Sequence, residues 1–266
     1  MPDGQHRPLA LITGASSGLG ATFAGALAAR GYDLVLVARR QDRLDALAEK
    51  LAAEHGIRAE TLAADLTAEE GLALVEDRIA RADALELLVN NAGFGTRGRF
   101  WEAPLAGQLA MHRLHVIATM RLAHAALAGM TARRRGAIIN VASVAGFMQA
   151  GSTSYSATKA WMISFTEGLY IELQRDGSPV KVQALCPGFT VTEFHDAMGV
   201  SREEVPARLW MRAEDVVRTS LEALDRGKLV VVPGWFYKFI VKLVPALPRF
   251  LRYPLLIRAG RRRQRY

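Results

Sequence analysis

Short apolar runs alternate along the chain with longer stretches in which apolar side chains recur at helical spacing. Seven runs have the length of buried strands: Leu9–Thr13, Asp33–Ala38, Arg58–Ala63, Leu85–Asn90, Ala137–Val141, Val180–Cys186 and Lys228–Val232. The helical stretches between them lie near residues 18–30, 41–55, 67–81, 104–131, 154–175 and 213–226. Parallel strands that helices cover on both faces are continuously apolar. The alternation therefore predicts an α/β fold, a doubly wound parallel sheet of about seven strands with helices on both faces.

The pattern changes near the C-terminus. Residues 1–232 contain no linker or repeat, which predicts a single domain, whereas residues 233–266 mix apolar and basic side chains. This extension contains Pro245, Pro248 and Pro254. Because a proline inside a helix removes a hydrogen bond and costs about 3 kcal/mol, we expect the extension to break into short pieces. Three placements stay open for it: on the domain, on a partner subunit, or on a membrane surface.

The positive charge of the protein is concentrated in this extension. The net charge is +8, yet Asp225 is the last acidic residue and 11 Lys or Arg residues follow it. The body of the chain is therefore nearly neutral. Only the C-terminal region carries an excess of positive charge that would favour an acidic partner. We expect no nucleic-acid binding, because no base-reading element accompanies the basic residues.

The remaining composition excludes several classes of protein. With 50% apolar and 23% charged residues the chain is not disordered or collagen-like. Cys186 is the only cysteine, which excludes an internal disulfide and a cysteine-based zinc site, and no metal is expected. The polar start does not resemble a signal peptide, and no run has the about 20 apolar residues of a spanning helix. We expect a cytoplasmic protein, either free or held peripherally at a membrane through residues 233–266.

A glycine-rich segment, Thr13–Gly20, joins the first predicted strand to the first helix. Its glycines permit a tight turn and a close backbone approach, and the N-terminus of the following helix attracts a diphosphate. The spacing of Gly14, Gly18 and Gly20 differs from the general G-x-G-x-x-G fingerprint. A turn without a ligand is the alternative, and the strand-to-helix context favours a dinucleotide.

The end of the second predicted strand indicates which dinucleotide. An NAD site has an acidic residue here for the ribose hydroxyls, but this chain has Ala38 followed by Arg39 and Arg40. Arginine binds a 2′-phosphate through forked, charge-assisted hydrogen bonds. The residues therefore favour NADP(H), with Ser17 and Arg39 as the predicted phosphate contacts. The alternative is that both arginines belong to the solvated end of a strand.

Six short motifs follow one another along the chain: Thr13–Gly20, Asp65–Leu66, Asn90–Gly93, Asn140–Ser143, Tyr155–Lys159, and Pro187–Gly188 with Thr190 and Thr192. In this order they resemble the short-chain dehydrogenase/reductase family from about Leu9 to Val232. The first, third and fifth match the family's T-G-x-x-x-G-x-G, N-N-A-G and Y-x-x-x-K. The resemblance implies a Rossmann-like fold in which residues 1–232 bind the dinucleotide and carry the catalytic groups, and a reaction that interconverts a carbonyl and an alcohol.

The resemblance also implies the residues that line the cofactor. These are Thr13, Gly14, Ser16, Ser17, Gly18, Leu19, Gly20, Arg39, Arg40, Asp65, Leu66, Asn91, Ala92, Gly93, Tyr155, Lys159, Pro187, Gly188, Thr190 and Thr192.

Tyr155 and Lys159 carry the predicted chemistry. They are four residues apart and so share a helical face. A phenol has a pKa near 10, and a neighbouring ammonium is expected to lower it, so that Tyr155 exchanges a proton with the substrate oxygen. The resemblance implies that Lys159 also holds the nicotinamide ribose and that Ser143 donates to the substrate oxygen. The alternatives are a surface tyrosine and a serine that simply ends a strand.

His115 departs from the family pattern. The resemblance places it where the family has an asparagine that holds a water in a proton relay to the lysine. An imidazole also binds water, so the predicted relay survives, and titration near pH 6.5 would make it pH-dependent. The alternative is a helix histidine bonded to a backbone carbonyl.

Apolar side chains near the predicted site indicate an apolar substrate. The candidates for substrate contact are Phe94, Phe147, Met148, Phe189, Phe194 and Trp210. An apolar pocket suits an aliphatic, aromatic or steroid-like ketone or alcohol, and the alternative is that most of these residues are ordinary core.

Two hypotheses of function follow. The first is an NADP(H)-dependent carbonyl reductase or alcohol dehydrogenase that forms a homodimer or homotetramer. The second is a catalytically weak NADP(H)-binding adaptor that acts through the extension at a membrane or a partner protein. Deletion of the residues after Val232 would discriminate between the two.

Overall fold

The computed structural model describes residues 7–96, 98–148, 153–194 and 205–263. Within these ranges seven strands form one parallel sheet in the order β3-β2-β1-β4-β5-β6-β7. The strands are β1 Leu9–Thr13, β2 Asp33–Ala38, β3 Ala59–Ala63, β4 Leu85–Asn90, β5 Ala137–Val141, β6 Lys181–Leu185 and β7 Val230–Val231. Each lies within the run that predicted it, and the doubly wound sheet is confirmed.

Helices cover both faces of the sheet. In the described part of the chain they are α1 Gly18–Ala28, α2 Gln41–His55, α3 Glu69–Ala80, α4 Leu105–His112, α5 Thr119–Ala132, α6 Thr153–Arg175, α7 Ala213–Asp225, α8 Trp235–Ala246 and α9 Arg249–Arg263. The single helix expected near 104–131 is interrupted by a π-helical segment, Arg113–Ala118. Apolar periodicity does not reveal such an insertion, because the flanking helices keep the same overall pattern.

The core consists of two layers, one on each face of the sheet. Along β2, Leu34 and Leu36 point to one layer, which α1, α2 and α7 complete. Val35 and Val37 point to the other layer, which α3, α5 and α6 complete. Side chains alternate across a strand, so a strand buried on both faces must be apolar at every position. This is why these strands were recognisable as continuous apolar runs.

The strand order reverses between β1 and β4. In open α/β sheets a crevice forms at such a reversal, beside the carboxyl ends of the strands. A buried chain of hydrogen bonds lies next to it: Asn90 Nδ2 donates to Asn140 Oδ1 at 2.9 Å, and Asn140 Nδ2 donates to Thr166 Oγ1 at 2.9 Å. These bonds join β4, β5 and α6 at the edge that carries the sequence motifs.

The C-terminal extension forms two helices, α8 and α9, and the expected break at all three prolines is wrong. The break falls at Pro248, where the preceding Leu247 adopts the extended conformation that a following proline favours. Pro245 lies in the last turn of α8 and Pro254 lies inside α9. Phe250, whose carbonyl loses its helical partner to Pro254, is exposed, so water can satisfy that carbonyl. In the ranges that the structure covers, no helix combines the length and apolar character that crossing a bilayer requires.

Candidate active site

The glycine loop between β1 and α1 is folded tightly on itself. Gly14 and Gly18 have φ angles of +67° and +55°, which strongly favour glycine. A Cβ atom on Gly20 would overlap the carbonyl oxygen of Gly14 and would lie 2.7 Å from the amide nitrogen of Asn91. The loop therefore requires glycine at these positions, as the sequence predicted for a close backbone approach.

Thr13 and Asn91 hold this loop against the end of β4. Thr13 Oγ1 accepts hydrogen bonds from the backbone N–H groups of Asn91 and Ala92, both at 3.0 Å. In return Asn91 Nδ2 donates to the carbonyl oxygens of Thr13 at 2.9 Å and Gly14 at 3.3 Å. Both side chains are engaged with the backbone, and they set the shape of the crevice at the strand-order reversal.

The loop and the helix behind it fit the diphosphate of a dinucleotide. Ser17 precedes α1 in an extended conformation and its side chain makes no cap hydrogen bond. The N–H groups of the first turn, with the positive end of the helix dipole, are therefore directed at the crevice. Side chains are absent from Gly14, Gly18 and Gly20, where they would obstruct the approach of a ligand.

Arg40 lies over the glycine loop. Its Nη2 donates to Ser16 Oγ at 2.9 Å and to Ser17 Oγ at 3.0 Å. Its Nη1 forms an ion pair of 3.4 Å with Glu193, and Arg43 Nη1 forms a second pair of 2.8 Å with the same carboxylate. These arginines lower the pKa of Glu193, so the carboxylate stays ionised.

Arg39 is exposed, and it lies close enough to Asp65 for its charge to affect the pKa of that carboxyl group. Asp65 Oδ1 accepts hydrogen bonds from the backbone N–H and the hydroxyl of Thr67, at 2.9 and 2.8 Å. The backbone bond lowers the pKa of Asp65 most, and the charge of Arg39 adds a smaller lowering. Leu66 beside it is buried. In the structure Arg40 contacts Ser17, whereas Arg39, which the sequence favoured together with Ser17 for the phosphate, lies near Asp65.

Lys159 is buried under the catalytic face of α6. Its Nζ donates to the carbonyl oxygen of Val141 at 2.8 Å and lies 5.8 Å from the ring centre of Tyr155. Burial lowers the pKa of Lys159 from 10.5 to about 7. A Cβ on Gly93 would lie 3.7 Å from this nitrogen and 2.7 Å from Nε2 of His115, so glycine is needed there as well.

Tyr155 is half-buried beside Ser143. Burial raises the pKa of Tyr155 to about 12, and the hydrogen bond from the Ser143 hydroxyl lowers it by less than burial raises it. The lowered pKa expected from the neighbouring lysine is therefore wrong for the protein without a ligand. The physical reason is that burial of the phenol disfavours its charged phenolate form. Burial also lowers the pKa of Lys159, so that less of this lysine is charged near neutral pH. At neutral pH the phenol is protonated and is an acid.

Ser143 is oriented by a short 3₁₀ turn, Val144–Gly146. It adopts an extended conformation at the N-terminus of the turn, and its Oγ accepts a hydrogen bond from the N–H of Ala145 at 3.1 Å. The backbone thus engages one lone pair of the oxygen, and the hydroxyl of Ser143 lies within hydrogen-bond reach of the Tyr155 hydroxyl. Two O–H groups meet at this point, which suits a substrate carbonyl oxygen.

His115 is fully buried in the π-helical segment, with both ring nitrogens bonded to protein. The N–H of Phe94 donates to Nε2 at 3.3 Å, which requires that the ring proton is on Nδ1. Nδ1 lies 2.9 Å from Thr158 Oγ1, and that hydroxyl donates to the carbonyl of Tyr155 at 2.9 Å.

The pKa of His115 is lowered well below 6.5, first by burial and then by the charge of Lys159. The imidazole is therefore neutral at physiological pH, and the titration near pH 6.5 considered from the sequence is wrong. An edge of the ring packs against Tyr155, with ring centres 5.8 Å apart.

The candidate substrate residues fall into two groups. The ring centre of Phe194 lies 6.0 Å from that of Tyr155, and the ring centre of Phe94 lies 6.3 Å from that of His115. Phe189 and Trp210 pack on each other at 5.4 Å. Phe147 and Phe189 also pack on a third apolar cluster that contains Met162, Ile163 and Tyr237, and Met148 is half-buried.

The segment after β6 connects the glycine loop with the C-terminal extension. A Cβ on Gly18 would lie 3.1 Å from Thr192, and Thr190 Oγ1 donates to the Gly188 carbonyl at 3.1 Å. A Cβ on Gly188 would overlap the ring of Tyr237. Pro187 beside it is buried.

Tyr237 in α8 bonds to both sides of this segment. Its hydroxyl accepts from the N–H of Phe189 at 3.1 Å and donates to the carbonyl of Leu209 at 2.6 Å.

Sequence reasoning gave no role to three residues that the structure places at the site: Thr158, Glu193 and Tyr237. Thr158 lies within the Tyr155–Lys159 motif, three residues from Tyr155, and this spacing puts the two on neighbouring positions of one helical face. Tyr237 bonds to a residue 48 positions away, a relationship for which a single sequence carries no signal.

Comparisons with known proteins agree with this geometry. The family model for short chain dehydrogenases matches residues 8–202. A short-chain dehydrogenase from Sphingobium yanoikuyae, solved in complex with NADPH, is 38% identical, with 96% of this chain and 94% of that one covered at a TM-score of 0.80. The bulky-bulky ketone specific alcohol dehydrogenase from Comamonas testosteroni is 34% identical, with coverages of 96% and 92% and a TM-score of 0.76.

A further similar structure carries the other dinucleotide. It is a short chain dehydrogenase/reductase from Burkholderia phymatum in complex with NAD, and it is 27% identical. The match covers 89% of this chain and 92% of that chain at a TM-score of 0.78.

Proposed function

Because the chain belongs to the short-chain dehydrogenase family, we propose that it is an NADP(H)-dependent oxidoreductase that interconverts a carbonyl and an alcohol on a bulky apolar substrate. The observation that carries this proposal is the convergence of the Ser143 and Tyr155 hydroxyls above the buried Lys159. These three groups lie beside the crevice that fits a dinucleotide. The assembly of these three groups favours an enzyme over the catalytically weak adaptor, because an adaptor would not need groups that transfer a proton.

A nicotinamide dinucleotide would be held by the glycine loop, the N-terminus of α1, and the residues from Asn91 to Gly93. When bound, the reduced nicotinamide supplies the hydride that a carbonyl carbon accepts. Arg40 supports NADP(H) over NAD(H), because it lies between Ser16 and Ser17 and no acidic residue occupies the end of β2. The exposed Arg39 adds a second positive charge at the same strand end.

Tyr155 delivers the proton in the direction of reduction. Its raised pKa keeps the phenol protonated, and the hydroxyl of Ser143 bonds to the same oxygen. A substrate carbonyl oxygen between the two groups would receive a hydrogen bond from Ser143 and a proton from Tyr155. In oxidation, the loss of the phenolic proton is favoured when Lys159 is charged, because a nearby ammonium stabilises the phenolate.

Aromatic side chains around Tyr155 support an apolar substrate. Phe194 packs near the ring of Tyr155, and Phe94 packs near His115, which itself contacts Tyr155. Trp210 packs with Phe189 on the segment that follows β6. This lining, together with the 34% identity to an alcohol dehydrogenase described as specific for bulky-bulky ketones, supports ketones with two large apolar substituents.

A homodimer or homotetramer is part of the proposal. Large apolar side chains are exposed on and before α4, along the π-helical segment and α5, and on α6: Phe100, Trp101, Leu105, Leu109, Ile117, Met120, Tyr170 and Ile171. Large apolar side chains that stay exposed on several elements of a protein in water are typical of an interface. Sedimentation of the purified protein tests this part.

The variant Tyr155→Phe tests the enzyme. We expect NADPH oxidation in the presence of a bulky aryl ketone to fall by about 10²- to 10⁴-fold, because the ring stays and the transferred proton is lost. NADPH binding, followed by fluorescence titration, should stay unchanged. Tyr170→Phe on the exposed side of the same helix is the matched control. Unchanged turnover in Tyr155→Phe would overturn the mechanism.

A further inference from the structure

One face of α8 consists of alternating apolar and basic side chains that the described part of the chain leaves exposed. Trp235, Lys238, Phe239, Lys242 and Leu243 follow the three- and four-residue spacing of a single helical stripe. Trp235 is 81% exposed and Phe239 is 59% exposed. Aromatic side chains of this size are usually covered in a soluble protein, so the stripe calls for a partner.

The opposite face of α8 is fastened to the domain, which fixes the direction in which the stripe points. Tyr237 is buried and bonds to Phe189 and Leu209. Val241, one helical turn further, packs on the same apolar cluster as Tyr237. The exposed stripe is therefore the outer face of a docked helix.

Helix α9 extends this exposed surface. Its exposed side chains include large apolar groups and bases: Arg249, Phe250, Leu251, Tyr253, Leu255, Ile257 and Arg258. Phe250 is 75% exposed. Arg252 joins the two helices through a hydrogen bond of 3.4 Å from its guanidinium to the Pro245 carbonyl. We call the exposed side chains of α8 and α9 together the C-terminal apolar-basic surface.

Charge decides what fits this surface. Asp225 is the last acidic residue of the chain, and 11 Lys or Arg residues follow it. A second copy of the same surface would bring bases against bases, which disfavours self-association through it. An anionic bilayer accepts both features at once, because aromatic rings enter the interfacial layer while lysine and arginine stems extend to the headgroups.

We propose that the C-terminal apolar-basic surface binds the face of an anionic phospholipid bilayer. The contact is peripheral, with α8 and α9 lying in the plane of the interface. Nucleic acid and acidic proteins are weaker candidates, because neither has an apolar layer for Trp235, Phe239 and Phe250. Binding itself does not depend on the enzymatic activity proposed above.

The position of Tyr237 gives this contact a consequence for the active site. Tyr237 links α8 to Phe189 and Leu209, which lie on the segment that follows the Pro187–Gly188 loop. A bilayer held against the outer face of α8 would therefore lie about one helix diameter, roughly 10 Å, from the substrate side of the crevice. This consequence rests on the proposed function: apolar ketones would reach the enzyme from the lipid phase. The KM should then be lower when such a ketone is presented in anionic vesicles.

Flotation of the full-length protein with vesicles tests the proposal. The wild-type protein should float with phosphatidylcholine vesicles that contain phosphatidylglycerol, and it should stay in solution with phosphatidylcholine alone. The double variant Lys238→Glu with Lys242→Glu should lower the partition coefficient by at least about tenfold, since each base contributes near an anionic surface. Lys50→Glu with Lys228→Glu, which makes the same charge change at exposed lysines elsewhere, is the matched control and should bind nearly as wild type.

The double variant Trp235→Ala with Phe239→Ala separates membrane insertion from charge attraction. Loss of flotation in both tail variants, with unchanged melting temperature and unchanged NADPH oxidation of a water-soluble ketone, supports the proposal. Absence of wild-type flotation with anionic vesicles overturns it. Equal losses in the control variant, full binding by the Trp235→Ala, Phe239→Ala protein, or a changed oligomeric state in the tail variants would also overturn it. Equal losses in the control variant, or full binding by the Trp235→Ala, Phe239→Ala protein, would indicate a general attraction between opposite charges. A changed oligomeric state in the tail variants would indicate a subunit interface. A wild type that floats yet oxidises no NADPH would contradict the proposed function alone.

Discussion

Nδ1 of His115 lies 2.9 Å from the hydroxyl oxygen of Thr158, and this bond connects the π-helical segment to the catalytic helix α6. The same hydroxyl donates to the carbonyl of Tyr155, and the other ring nitrogen accepts from Phe94. A neutral imidazole thus joins three parts of the site. The hydrogen bonds indicate that His115 positions Tyr155 and the loop at Phe94, with no ring nitrogen left for a relay water.

Substitution of this pair should affect kcat more than cofactor binding. We expect His115→Leu and Thr158→Val each to lower kcat by about tenfold, because a buried partner is left without its hydrogen bond at a cost of about 1–3 kcal/mol. The NADPH dissociation constant should change little. His115→Asn, which can still donate and accept, should restore part of the rate.

The pH profile separates a positioning role from proton transfer by His115. Because burial and the Lys159 charge lower the pKa of His115 well below 6.5, the ring stays neutral from about pH 6 to 8. The wild type and His115→Asn should therefore show pH profiles of the same shape in this range. A wild-type inflection near pH 6.5 that the variant lacks would contradict this assignment.

Lys159 should make the stability of the cofactor-free protein depend on pH. Its pKa is about 7 in the folded protein against 10.5 ordinarily, so between these values the unfolded chain binds the proton and the folded protein does not. Burying the charged lysine lowers the free energy of unfolding by its full amount below pH 7. This penalty shrinks as the pH rises and disappears near pH 10.5.

The variant Lys159→Met removes this titration. Its free energy of unfolding should exceed that of the wild type most near pH 7, and the excess should shrink by about 1.4 kcal/mol per pH unit above that. Urea unfolding of both proteins between about pH 7.5 and 9.5 measures the difference. A constant difference across this range would show that Lys159 retains an ordinary pKa.

Arg40 should contribute more than Arg39 to the preference for NADPH. Arg40 lies against Ser16 and Ser17 at the glycine loop, whereas Arg39 is exposed. We expect Arg40→Gln to raise the NADPH dissociation constant by on the order of tenfold to hundredfold, as the loss of a charged hydrogen bond does, with little change for NADH. Arg39→Gln is the matched comparison. A larger effect of Arg39→Gln would return the phosphate site to the residue that the sequence favoured.

Glu193 should compete with the cofactor phosphate for the same arginines. Its carboxylate pairs with Arg40 and, at 2.8 Å, with Arg43. Glu193→Gln releases both guanidinium groups, and because such exposed pairs are weak we expect NADPH to bind about two- to fivefold more tightly. Isothermal titration at two salt concentrations measures this. Weaker NADPH binding by the variant would mean that Glu193 orders the arginines for the phosphate.

Much of the fold was predictable because buried parallel strands produce continuous apolar runs, and all seven were located from them. The site motifs were recognisable from their resemblance to the short-chain dehydrogenase/reductase family. The π-helical segment at His115 was not predictable, because it leaves apolar periodicity intact. The pKa of Tyr155 also could not be predicted, because it depends on how deeply the phenol is buried in the folded protein.

Contacts between distant segments account for the other differences. Arg40 replaces Arg39 over the glycine loop because the end of β2 directs its side chain toward Ser16 and Ser17, a matter of strand register. Tyr237 is joined to Phe189 by packing between residues 48 positions apart. The continuity of α8 through Pro245 depends on where the helix ends, which composition alone does not determine.

The rate of NADPH oxidation by the purified wild-type protein with a ketone that carries two bulky apolar groups tests the central claim most directly. NADH is measured alongside at the same concentrations. The account predicts turnover at neutral pH with a kcat/KM for NADPH at least about tenfold above that for NADH, because a charged hydrogen bond from Arg40 to the 2′-phosphate contributes about this much. Bound NADPH without oxidation across a panel of such ketones, or a preference for NADH, would contradict it.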